Sequence, residues 1–182
     1  MSIIRKTQNK AGEYFLKAEA QAVKRNRKAF NLDTADTIAI IFDATDATEF
    51  DTIKKYIKKL KEEKRKVRAL GFYDAKESPV MMASKLEYDF FTRKQLKWYL
   101  KPDDPIINNF LSEPFDILLN LSLHAKTPII YLVALSHARF RVGPSNKKLN
   151  PYYDLIIQNK ENQLNSLIAD TEGILAMIHA KS

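Results

Sequence analysis

The sequence predicts an α/β fold: a Rossmann-like three-layer α/β/α sandwich with a mainly parallel sheet of five or six strands and an extra basic N-terminal helix. Three observations predict it. Residues 37–42, TIAIIF, are a β-branched apolar run too uniform for a half-exposed strand, so this strand is central and covered on both faces. Phe50, Ile53, Ile57 and Leu60 follow at three- and four-residue spacing, with Lys54, Lys55, Lys58 and Lys59 mostly away from that stripe, which marks an amphipathic helix. The alternation of strand and helix then recurs to residue 180, as in parallel strands joined by right-handed crossovers.

Each element has its own signal. Residues 10–30, KAGEYFLKAEAQAVKRNRKAF, are helical in composition, so residues 1–33 are read as a basic N-terminal helix and residues 34–182 as a single Rossmann-like domain. After the first strand and its helix, KVRALGFY (66–73) is the second strand and completes a βαβ unit. LEYDFF (86–91) is the third, RKQLKWYL (93–100) a short helix, and Asp104 to Leu111 another helical piece after the Lys101–Pro105 turn. FDILLNL (115–121) is the second clearly buried strand, and TPIIYLVALSHA a helix with Pro128 tolerated in its first turn. RFRVG is a brief strand ending in a turn at Gly143, YYDLIIQ a sixth strand candidate, and Asn162 to Ala180 the closing helix.

Composition narrows the function classes. With 182 residues, 45% of them hydrophobic, the chain can bury one core. The longest apolar runs fall far short of a bilayer span and no apolar segment follows Arg5 and Lys6, so a soluble, cytoplasmic protein without membrane contact is expected. Absence of cysteine excludes disulfides, thiol catalysis and cysteine-based metal sites. The net charge of +8 is local. Residues 1–30 carry eight Lys or Arg against Glu13 and Glu19, and residues 48–68 carry nine against four acidic residues. Such basic stretches attract acidic partners or form solvated helix faces.

The turn after the first strand reads Asp43-Ala-Thr-Asp46, at the carboxyl rim where open parallel sheets bind ligands. Two carboxylates there can hold a divalent cation or divide acid and base roles. Two residues separate them, however, where strand-end phosphatases have one. A helix start explains them instead: Thr48 with Asp51, or Asp46 with Glu49, fits a capping box. Asn120 and His124 share the rim and complete the weak catalytic candidates. No Gly-rich turn joins a strand to a helix, so no nucleotide cradle is expected, nor any cofactor or metal. His137 and His179 sit near helix C-termini, and Trp98 with Tyr99 and Tyr152 with Tyr153 read as packing residues.

The segments IAIIFDATDATEFDTIKKYIKKLKEEKRKVRALGFYD, YDFFTRKQLKWYLKP, EPFDILLNLSL and LSHARFRVG, in that order, resemble a small bacterial domain family of unknown function whose members have about this length. Separately, residues 115–143 are similar to the segment of the N-terminal half of GT-B heptosyltransferases in which an Asp-led strand, a helix and a small-residue turn precede a strand ending in Arg-Val-Gly. That likeness implies a Rossmann-like topology, although the Gly-rich first loop of those enzymes is replaced here by Asp43 to Thr48.

The function expected from the sequence is a non-enzymatic binding module. It would dock an acidic partner, RNA or the ribosome or another protein, through a basic helical face formed by Lys24, Arg25, Arg27, Lys28, Lys54, Lys55 and Lys58. Self-association through the N-terminal helix is a further option. The alternative is a small-molecule or sugar-nucleotide-related enzyme, or its inactive remnant, working at the rim with Asp43, Asp46, Asn120 and His124.

Overall fold

A computed structural model describes residues 3–77 and 88–179. The strands are β1 (Thr37–Asp43), β2 (Lys66–Tyr73), β3 (Tyr88–Thr92), β4 (Ile117–Asn120), β5 (Phe140–Pro144) and β6 (Leu155–Ile157). They form one sheet in the order β3-β2-β1-β4-β5-β6, and every neighbouring pair is parallel. The chain works outward from β1 to one edge and then returns to build the other half, so the topological switch point lies between β1 and β4. Of the predicted third strand, Leu86 and Glu87 lie outside the described residues, as do Met1, Ser2 and residues 180–182.

The helices are α1 (Ile3–Ala22), α2 (Ala47–Glu62), α3 (Pro105–Ser112), α4 (Thr127–Leu135) and α5 (Leu164–Ala176). Strand periodicity sorts the core into two layers. Ile38, Ile40 and Phe42 pack with α2 and α5 on one face, whereas Ala39 and Ile41 pack with α1, α3 and α4 on the other. Both sides of β1 are thus dry, which is why its sequence does not alternate. Burying a Leu, Ile or Phe in such a layer contributes about 1.5–3 kcal/mol. None of the described helices is long and apolar enough to cross a membrane.

α1 is anchored on this second face. Gly12 is buried, and the Tyr131 hydroxyl of α4 donates to its carbonyl at 2.8 Å. A Cβ at Gly12 would meet the Tyr99 carbonyl oxygen at 2.5 Å, so glycine is what lets α1 lie this close.

Two predicted helices are corrected. The N-terminal helix ends at Ala22, and residues 23–30 have no regular secondary structure. Tertiary bonds override helical propensity there: the Lys28 amide donates to the Arg139 carbonyl, Arg25 reaches Asp154 and Ala138, and Phe30 enters the α2/α5 core. Residues 93–100 form only a 3-10 turn over Arg93–Gln95, fixed by the Thr92 and Gln95 capping box. A tight loop follows, closed by the Leu96 and Pro102 bridge and by Leu100 at φ 68°. Gly143 is also corrected, since it lies inside β5 and not in a turn.

Candidate functional site

The aspartates after β1 have separate structural tasks. Asp46 is the N-cap of α2, accepting from the amides of Thr48 and Glu49 at 2.8 and 3.0 Å. Asp43 folds back on its own turn, accepting from the Thr45 amide at 3.0 Å and the Thr45 hydroxyl at 2.5 Å. Its other oxygen lies 2.6 Å from the Lys126 ammonium, which also reaches Asp74 at 3.5 Å. The pair does not converge on a common point. Beside them, burial and then the charges of Asp46 and Asp43 push the Glu49 carboxyl above its ordinary value, with His124 and Lys126 opposing.

Asn120 is fully buried, donating to the Tyr153 hydroxyl at 2.6 Å and accepting from the Ser122 amide at 3.1 Å. It ties β4 to the segment before β6. His124 is exposed at the rim. His137 contacts the Leu111 carbonyl at 3.0 Å. No group of three His, Cys, Asp or Glu among the described residues is arranged to hold a metal ion.

The open volume at the rim belongs to other residues. A cleft of about 720 Å³ lies over the carboxyl ends of β2 and β3, between the start of α1 and the start of α4. Its walls carry Arg5, Arg93, Lys97, Lys126 and Lys148, with Asp74 as the carboxylate in its lining. Asp74 accepts from Arg93 at 2.6 Å and pairs with Arg5 at 3.1 Å. Burial opposes its ionisation, yet the Arg93 hydrogen bond and the charges of Lys126, Arg93 and Arg5 win, holding the carboxyl below its ordinary value. Lys126 is also the N-cap of α4 and gives no side-chain cap, and Thr127 and Pro128 of the first turn line the cleft.

Trp98 stands in the same wall and is 63% exposed, with its ring 5.4 Å from Tyr99 in an edge-to-face arrangement. The sequence reading of Trp98 as a packing residue is therefore corrected: the turn at 96–102 holds the indole outward. Its signal, and that of Arg93, was hidden in a stretch with helical composition. Lys126 was legible in principle, because it directly precedes the Thr-Pro helix start that had to lie at the rim.

The basic residues expected to form one face are distributed. α1 and α2 lie on opposite sides of the sheet, and residues 23–30, which follow α1, are non-helical. Arg25 and Arg27 pair with Asp154 at 2.8 and 2.5 Å. Lys28 lies over the Phe30 ring at 5.4 Å. Lys54 pairs with Asp51 at 2.5 Å and Lys58 with Glu62 at 3.7 Å. Lys24 and Lys55 are exposed.

Comparison with known proteins adds a fold and a family. The crystal structure of the glycosyl transferase family 9 protein from Veillonella parvula DSM 2008 is similar at a TM-score of 0.52 and 15% identity, over 85% of this chain and 44% of that one. The chain spans less than half of that structure, and at this identity the likeness is one of fold. No curated protein matches the chain. The model of DUF6913, a family of unknown function, matches residues 8–178, and the chain belongs to that family.

Proposed function

We propose that this domain binds a small anionic ligand carrying a ring or sugar face in the cleft at the carboxyl rim. The observation that carries the reading is the presence of exposed Trp98 and five cationic side chains around one cleft of about 720 Å³. A large exposed indole leaves apolar area in water that a planar or sugar face would cover. Arg93 and Arg5 offer planar donors suited to phosphate or carboxylate oxygens, while Lys126 supplies further positive potential. Such a position, outside the strands' carboxyl ends, is where open α/β sheets place ligands.

Binding without group transfer fits this rim best. Asp43, Asp46 and Asp74 are each held by a cation or by helix amides, which leaves none of them poised as a base. The likeness of fold to a glycosyl transferase makes sugar nucleotides the first ligands to test. Trp98 is the sole tryptophan and hence a direct reporter. Titration with a uridine diphosphate sugar, a nucleoside monophosphate and a sugar phosphate should change its fluorescence saturably, and Arg93→Gln should weaken the effect about tenfold. A flat signal with all three, or titrations unchanged by Arg93→Gln, would refute the reading.

A further inference from the structure

On the same face of the sheet but away from that rim, a second cleft of about 550 Å³ opens beside the C-terminal half of α1 and the start of β5. Lys17, Arg25, Arg27 and Arg141 line it together with Tyr152 and Tyr153. The carboxylate of Asp154 serves two of these cations and the backbone of a third. It pairs with Arg25 at 2.8 Å and Arg27 at 2.5 Å and accepts from the Arg141 amide at 2.9 Å. Positive charge is therefore in excess, with four cationic side chains around one carboxylate.

Arg141 makes this excess consequential. It is 4% exposed, on an inward-facing position of β5, and among the described residues its guanidinium hydrogen-bonds to carbonyl oxygens, those of Tyr152 and Ser136. Its Nε is buried without a hydrogen-bond partner among the described residues. A buried guanidinium lacking a full counter-charge is costly. Burial, and next the charge of Arg25, draw its pKa down to about 9, with Asp154 opposing. Arg25 is nearly as enclosed, at 10% side-chain exposure, whereas Arg27 is 65% exposed.

We infer that this arginine cleft is a phosphate-binding site, in which Arg27 and Lys17 close over an oxyanion that Arg25 and Arg141 attract from below. Guanidinium forks match phosphate oxygens in pairs, and one doubly charged group would offset most of the excess. The shared chemistry is a phosphate group, whether on a small molecule or along a nucleic-acid chain. This site gives the basic segment 24–28 a role that its non-helical path allows.

The test is calorimetric titration of the full chain at low salt with inorganic phosphate, pyrophosphate and a uridine decanucleotide. Arg27→Gln and Lys17→Gln change exposed side chains and leave Asp154 bound to Arg25. Each should weaken binding about tenfold, and raised salt should weaken it further. Lys55→Gln, on the opposite face, should change nothing. Pyrophosphate that binds and displaces the decanucleotide identifies a small or terminal phosphate, whereas binding of the decanucleotide alone identifies backbone phosphates. No saturable binding of any of the three, or equal binding by Arg27→Gln and the unaltered chain, overturns the inference. Arg93→Gln reports on the rim cleft alone, so failure at one site is distinguished from failure at the other.

Discussion

The Lys126 ammonium lies 2.6 Å from Asp43, so the residue that starts α4 clamps the carboxylate that ends β1. The clamp crosses the switch point between β1 and β4, the crevice in which a doubly wound sheet has room for a ligand. Here an ion pair fills that crevice and open volume is displaced toward β2, β3 and Trp98.

Truncation of the clamp should therefore be felt. Asp43 is 7% exposed, and Lys126→Met would leave its carboxylate with Thr45 as partner. The expected loss is about 1–3 kcal/mol in urea unfolding. Adding Asp43→Asn to that variant should recover part of the loss, because the uncompensated charge is gone. Additive losses would show that the two side chains do not act on each other.

Gly143 should tolerate no side chain. A Cβ there would meet the Tyr153 ring at 2.5 Å, and it is across this gap that Tyr153 reaches Asn120. Gly143→Ala is expected to cost about 1–3 kcal/mol through overpacking. Tyr153→Phe, made alone, keeps the ring but strands a buried amide, at a cost of about 1–3 kcal/mol. A Gly143→Ala protein with unchanged melting temperature would show that Tyr153 has another resting place.

Lys64 ends α2 in the left-handed region at φ 65°. A glycine there adopts that conformation without Cβ strain, so Lys64→Gly should stabilise the protein by about 0.5–1 kcal/mol despite the added freedom of the unfolded chain. Chemical denaturation measures this directly, and a destabilised variant would contradict it.

Acid sensitivity follows from Asp74 and Asp154. For each, burial opposes ionisation, but the hydrogen bonds and charges of the surrounding arginines, with Lys126 for Asp74, hold the folded carboxyl below the ordinary 3.8. A carboxyl with a depressed folded value stabilises the protein fully above its unfolded value, and that stability is lost as pH falls through the folded one. Melting temperature should thus drop below pH 3.8, and Asp74→Asn should flatten that drop while lowering stability near neutrality. A variant with the parent's acid profile would show that Asp74 is not linked to folding.

The sequence alone determined the architecture, because that information is local and periodic. The apolar run at Ile38–Phe42, the stripe from Phe50 to Leu60 and the Asp46 cap each specify an element without reference to distant residues, and β2 fell on Lys66–Tyr73 as read. Tertiary structure decided where the chain leaves its own propensities. Residues 23–30 leave the helix because Asp154, Arg139 and the α2/α5 core bind them, and Trp98 is exposed because a capping box and a left-handed Leu100 bend its loop. Both clefts arise the same way. Arg93 and Lys126, or Arg25 and Arg141, are far apart in the chain and adjacent only after the sheet has formed. Charge clusters of this kind depend on long-range pairing, which no spacing within one segment encodes.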